Sequence, residues 1–280
     1  LLYRDGRLMA GWTLDDIPWN EFDRSRVDRE ILPIIKAAAI VEYNAGDYRA
    51  YLNRVFHDDP RVLKAVDGWA DEEVQHGVAL GKWAELADPS FNFDESFRKF
   101  VAGFSLPLDA NQSVRGSRTG ELIARCMVET GTSSYYTALA AATDEPALKA
   151  ICQKIAEDEF AHYNLFHRHM IRYLSEEKLG MWGRFRVAIR RIAESEDDEL
   201  AYAYYAANGS GQPYDRKANA SAYGQGAFRY YTPGIVRRGV GMVFHTIGMK
   251  GDGFVSQTAG RIGWIALRLR IFMLGRAARV

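Results

Sequence analysis

Cysteine is scarce in this 280-residue chain, and the two present, Cys126 and Cys152, stand in helix-patterned stretches with no Cys-x-x-Cys pair. That excludes a zinc ribbon, a disulfide-stapled scaffold and a cysteine-held iron–sulfur cluster, and it implies buried free thiols in a reducing compartment. Net charge is also missing, since 36 basic residues meet 36 acidic ones. A nucleic-acid-binding protein usually carries a basic excess, so no nucleic-acid partner is expected. No secretory signal pattern opens the chain, and no unbroken apolar run is long enough to cross a bilayer. A cytoplasmic protein is the expectation.

What the chain has in quantity is helical patterning. The expected helices cover about 31–56, 60–86, 95–104, 120–142, 146–174 and 181–207, with a loop at 106–116. Asp59 and Pro60 stand as N-cap and first helical residue of the second of these. The organisation that follows is a leader over 1–26, a helical domain over 27–207, and a glycine-rich linker with a basic extension over 208–280. The fold class expected is all-α.

Two segments carry chemistry. Glu73-Val74-Gln75-His76 and Glu159-Phe160-Ala161-His162 are both Glu-x-x-His, and on a helix positions i and i+3 share a face. Upstream of each stands a lone glutamate among small or apolar residues, Glu42 near Ala38, Ala39 and Ala45, and Glu129 near Cys126, Thr132, Ser133 and Tyr136. Four buried carboxylates without partners are prohibitively costly, but two divalent ions balance their charge, and two neutral imidazoles complete a ligand set. Chain reversal supports the pairing. Antiparallel helices that face each other at Glu42 and Glu73 must turn near 57–58, where His57-Asp58-Asp59-Pro60 lies. Those facing at Glu129 and Glu159 must turn near 144, inside Thr143-Asp144-Glu145-Pro146. Both ligand levels then lie about 20 Å from their turns, at about 1.5 Å of rise per residue. The remaining histidines, His57, His167, His169 and His245, are expected to stand outside the site.

With this ligand pattern, residues 28–175 resemble the ferritin-like di-iron carboxylate superfamily. Asp71-Glu72-Glu73-Val74-Gln75-His76-Gly77 and Glu157-Asp158-Glu159-Phe160-Ala161-His162 are most similar to its oxygen-activating branch, which includes acyl-carrier-protein desaturases, aldehyde-deformylating oxygenases and multicomponent monooxygenases. The resemblance implies a ferritin-like four-helix bundle with additional helices. It implies two iron ions on Glu42, Glu73, His76, Glu129, Glu159 and His162, with Glu42 and Glu129 terminal and Glu73 and Glu159 bridging. Manganese or a mixed manganese–iron pair suits the same oxygen and nitrogen donors. Glu72 and Asp158 are implied to orient the histidines. Thr132 and Ser133 are implied to be catalytic hydroxyls beside the oxygen site. The partners implied are dioxygen, an organic substrate of acyl or lipid-like kind, free or on a carrier protein, an external electron donor, and a second copy in a homodimer.

The resemblance ends near Tyr173 and leaves three readings open: an oxygen-dependent oxidoreductase, a ferroxidase or peroxidase, and a metal-stabilised non-catalytic subunit. From 221 to 280 nine basic residues face one acid, Asp252, so the first 220 residues carry a net charge of −8. Trp264, Leu267, Ile271 and Leu274 recur on one helical face flanked by arginines. Such a helix either packs on the bundle or docks on a membrane surface or an acidic carrier. In the membrane case the protein would sit at the inner face of a membrane.

Overall fold

The computed structural model describes residues 3–4, 7–8, 11–105, 112–194, 198–209 and 211–277, with side chains from 11 to 273 among them. These residues are helical apart from loops and one antiparallel pair, Tyr3–Arg4 with Arg7–Leu8, in which Tyr3 faces Leu8. The helices are α1 (Leu32–Tyr43), α2 (Ala45–Val55), α3 (Pro60–Ala87), α4 (Phe93–Gly103), α5 (Arg118–Ala142), α6 (Pro146–Glu177), α7 (Met181–Ala193), α8 (Asp198–Asn208), α9 (Arg216–Phe228), α10 (Pro233–Thr246) and α11 (Phe254–Ala277).

The helix starts follow local chemistry. Asp59 caps α3 by accepting from the amides of Arg61 (3.1 Å) and Val62 (3.3 Å), with Pro60 in the first turn. Glu145 caps α6 through the amides of Ala147 and Leu148 and also takes a 2.7 Å hydrogen bond from Trp83 Nε1. The expected first helix is interrupted. Asn44 leaves helical geometry at φ −77°, ψ 9°, and its amide side chain reaches Glu199 Oε1 on α8 at 3.5 Å. The helix expected over 181–207 is two, α7 and α8, with 195–197 outside the described residues. Residues 106–111 of the expected loop, Ser210 and the Leu274 side chain also lie outside them. The extension shows more regular structure than its glycines suggest, because it folds into α9, α10 and α11.

Two hairpins turn at opposite ends. One is α1 and α2 against α3, turning at 56–59. The other is α5 against α6, turning at 143–145. Each turn is tied to the other hairpin: Asp59 accepts from Arg172 and from the Tyr173 hydroxyl (2.7 Å), Arg118 pairs with Asp58, and Trp83 bonds Glu145. Two apolar clusters result. Val62, Val66, Phe56, Phe166 and Met170 pack towards one end, while Leu80, Trp83, Leu139, Leu148 and Ile151 pack towards the other. On α3 the polar pair Glu73 and His76 falls between Val66 and Leu80, and on α6 Glu159 and His162 fall between Ile155 and Phe166. The ligand level is a polar layer between two dry ones.

Asp59 joins a cap to a bridge between hairpins. Burial alone would raise its pKa, but the Arg172 guanidinium and the Tyr173 hydroxyl hold it down at about 2. A carboxyl depressed in the folded state stabilises above its unfolded pKa, near 3.9, and loses that contribution as pH falls towards 2. Asp59→Ala is expected to cost about 1–2 kcal/mol in urea unfolding at neutral pH, a difference that narrows below about pH 4 and is smallest near pH 2. Equal stability of the two proteins at pH 7 would remove Asp59 from this role.

Candidate metal centre

Glu42 comes from α1, Glu73 and His76 from α3, Glu129 from α5, and Glu159 and His162 from α6. All six are buried. Close approach of α1 and α3 depends on Gly77, next to His76, where a Cβ would lie 2.6 Å from the Tyr43 backbone nitrogen. No other residue lets Glu42 and His76 share a site without displacing α1.

The six residues form two overlapping groups, each able to hold a metal ion. One is Glu42, Glu73, His76 and Glu159, the other Glu73, Glu129, Glu159 and His162, and in each group one donor atom per residue lies within 4.8 Å of the others. His76 Nδ1 stands 3.4 Å from Glu159 Oε1, 3.6 Å from Glu73 Oε2 and 3.8 Å from Glu42 Oε2. His162 Nδ1 stands 3.3 Å from Glu73 Oε1 and 3.9 Å from both Glu159 Oε2 and Glu129 Oε2. Glu73 and Glu159 therefore turn one oxygen to each histidine, while Glu42 and Glu129 each serve one side only.

The other ring nitrogens are taken. His76 Nε2 donates to Asp158 Oδ2 at 3.0 Å, and His162 Nε2 donates to Glu72 Oε2 at 2.7 Å. Each acidic residue thus orients the histidine of the opposite helix and leaves Nδ1 facing the carboxylates, the arrangement that fixes a metal-binding tautomer. Both Nδ1 atoms, both Glu129 oxygens and Glu159 Oε1 are buried without a hydrogen-bond partner. Buried polar atoms normally have one, and a cation between them would satisfy all five, so the donor set fits a metal pair.

The electrostatics agree. Desolvation and the charges of Glu73 and Glu159 push Glu42 well above the usual carboxylate range, and desolvation with Glu159 and Glu73 does the same to Glu129. Burial works against Glu73 and Glu159 too. At Glu73 a hydrogen bond with Glu42, and then those with His162 and His76, outweigh it, and at Glu159 those with His162 and His76 do, so both are held below that range. Burial likewise opposes charge on His76 and His162. Asp158 and Glu159 nonetheless raise the first, and Glu159 and Glu72 raise the second, well above an ordinary imidazole. The pocket gathers positive charge wherever it can.

Of the two hydroxyls expected here, only Thr132 reaches the cluster, donating to Glu159 Oε2 at 2.5 Å. Ser133 does not. Its hydroxyl donates to the Ala156 carbonyl (3.2 Å) and accepts from Arg238 Nη2 (2.9 Å). Successive helical residues point about 100° apart, so one of the pair had to face elsewhere. His57, His167, His169 and His245 stay outside both groups. His167 instead stacks on His245 at 4.4 Å.

Two further side chains bond the acidic residues of the site, and of these Trp12 carried no sequence signal. Trp12, from the leader, donates to Asp158 Oδ2 at 2.7 Å and lies parallel to His76, with ring centroids 6.0 Å apart. Tyr136 donates to Glu42 Oε1 from α5. Its spacing of seven residues from Glu129, about two turns, puts it on the same helical face.

Beside the carboxylates lies a cavity of about 440 Å³, lined by Glu42, Glu73, Glu129, Glu159 and Thr132 and otherwise mainly by apolar side chains. Its far wall is built by the extension, with Tyr223 and Phe228 of α9, Val236 and Val240 of α10, and Leu267 of α11. Among the described residues no helix is long and apolar enough to cross a membrane. No protein-family model matches the chain, and no curated protein gives a significant match.

Proposed function

We propose that this chain is a ferritin-like di-iron oxidoreductase that uses dioxygen to oxidise an organic substrate with a long apolar portion. The observation that carries this reading is the apolar cavity opening directly onto the carboxylates of both metal groups. An iron-storing or peroxide-removing centre has no use for such a volume, whereas pockets that bind organic ligands are apolar with a few convergent polar groups. The resemblance of the two Glu-x-x-His segments to the oxygen-activating branch points the same way.

Iron, when bound, supplies the redox chemistry that activates dioxygen. Glu73 and Glu159 would be shared by the two ions, with Glu42 and His76 completing the donors of one side and Glu129 and His162 those of the other. Asp158 and Glu72 keep the imidazoles in the ligating tautomer. Thr132 Oγ1, which donates to Glu159 Oε2 on the cavity wall, would supply a proton to the reduced oxygen. Val236, Val240 and Leu267 exclude water and align the substrate. Reducing dioxygen to two waters takes four electrons and four protons. In a desaturation, two of each leave the substrate C–H bonds, an external donor supplies the other two electrons, and the other two protons come from solvent. Manganese suits the same donors.

The test is oxygen uptake by reduced, iron-loaded protein. Long-chain acyl compounds are expected to stimulate uptake with formation of an oxidised product, and Thr132→Val is expected to lower product per oxygen consumed while Ser133→Ala leaves that ratio unchanged. Uptake that answers only to added ferrous iron or peroxide, with no organic product, would instead establish iron or peroxide handling.

A further inference from the structure

We propose that the outer faces of α7 and α11 form one docking surface for an anionic lipid membrane, set around the mouth of the cavity. On α7, Met181, Trp182, Phe185, Ile189 and Ile192 are exposed, and Trp182 keeps 77% of its surface. Positions 181, 185, 189 and 192 fall on one helical stripe. On α11 a second stripe, Ile262, Ile265, Leu269 and Phe272, is exposed at the same kind of spacing, continued at the helix start by Phe254, which is 84% exposed. The opposite side of α11, with Trp264, Leu267 and Ile271, is partly buried against the rest of the molecule. The arginine-flanked helix of the extension thus packs inward with one stripe and leaves Ile262, Ile265 and Leu269 largely exposed on another.

Both helices reach the cavity. Arg191 and Ile192 of α7 line it, as do Gly263 and Leu267 of α11. Over 181–193 and 254–277 the sequence holds eight arginines and no acidic residue. Arg186, Arg190, Arg261 and Arg268 are exposed beside the apolar stripes.

That combination selects the occupant. A second copy joined by a two-fold axis would set this surface against itself, arginine facing arginine with no carboxylate contributed by either helix. An acidic carrier protein matches the charge but not so many large exposed aromatic and aliphatic side chains. An anionic bilayer matches both, with hydrocarbon for the stripes and phosphates for the arginines. Neither helix is apolar enough to cross the bilayer, so both would lie along it. Entry of a lipid chain from the membrane into the cavity rests on the proposed function; the docking does not.

Co-sedimentation of the whole chain with extruded vesicles tests this. Binding is expected with phosphatidylglycerol in phosphatidylcholine but not with phosphatidylcholine alone, and it should weaken at about 0.5 M salt as screening shortens. Trp182→Asp, and the pair Ile265→Asp with Leu269→Asp, are each expected to weaken binding by roughly tenfold or more, since each large side chain kept out of the interface forfeits at least that. Circular dichroism and metal content should stay unchanged. Absence of binding to anionic vesicles overturns the proposal, as does binding that these substitutions leave intact. A wild-type dimer dissociated by the α11 pair would assign the face to a second copy, and binding to an acidic carrier protein but not to vesicles would assign it there. No oxygen uptake enters the readout, so failure here is separate from failure of the metal reading.

Discussion

Replacing either shared carboxylate, in Glu73→Ala or Glu159→Ala, is expected to empty both metal positions at once, whereas Glu42→Ala or Glu129→Ala should leave one ion bound. The asymmetry follows from geometry. Glu73 and Glu159 appear in both donor groups, with one oxygen towards each histidine, while Glu42 and Glu129 appear in one group each. A shared carboxylate also keeps two dications side by side. At about 4 Å separation and an effective dielectric near 20 their repulsion is on the order of 10 kcal/mol or more, and only ligand charge between them offsets it. Metal analysis after anaerobic loading with ferrous iron and desalting reads the outcome directly. The expected stoichiometry is about two ions in the parent and in His169→Ala, about one in the terminal-ligand variants, and close to none in the shared-ligand variants, which also lose reductant-driven oxygen uptake. Two ions retained in Glu159→Ala would sink the shared-ligand assignment.

That these six residues come together was largely legible in the sequence because the parts of the pattern are local. A Glu-x-x-His pair is a statement about one helix turn, and the reversal points at 57–60 and 143–146 are marked by Asp-Pro and Glu-Pro, whose capping chemistry is equally local. What escaped depends on chain segments far apart in sequence. Trp12 reaches Asp158 across 146 positions. The break at Asn44 follows from contact with Glu199, which no pattern between 31 and 56 records. The choice between Thr132 and Ser133 turned on helix rotation, fixed by how Arg238 of α10 ties Ser133 from the other side. The cavity was the least visible feature, because its far wall comes from α9, α10 and α11, where frequent glycines blur the apolar periodicity. Some of those glycines are there for packing. At Gly241 a Cβ would lie 2.9 Å from the Gly251 carbonyl oxygen, so the turn between α10 and α11 closes only with a bare backbone at this point.

Stripping the metal is expected to lower the melting temperature by on the order of 10 °C, and reloading with ferrous or manganous ion should restore it. Ligands that bind only the native state stabilise it by RT ln(1 + [L]/Kd), about 4 kcal/mol per ion at a thousandfold excess over Kd, and a chain of this size shifts by roughly 2–4 °C per kcal/mol. Two ions alone would give more than 10 °C. The smaller figure is expected because the metal-free pocket does not stay uncompensated. His76 and His162 are raised, and Glu42 and Glu129 are pushed towards their neutral forms, so protons replace part of the missing charge. The polar layer still leaves five buried donor atoms unpartnered between the two apolar clusters, and that cost falls on the native state alone. Scanning calorimetry of loaded, chelated and reloaded protein, with Glu73→Ala as a variant that should not respond to metal, separates this coupling from adventitious surface binding. Identical melting of the loaded and chelated forms would mean that the six residues are satisfied without an ion, and the central assignment would fail with it.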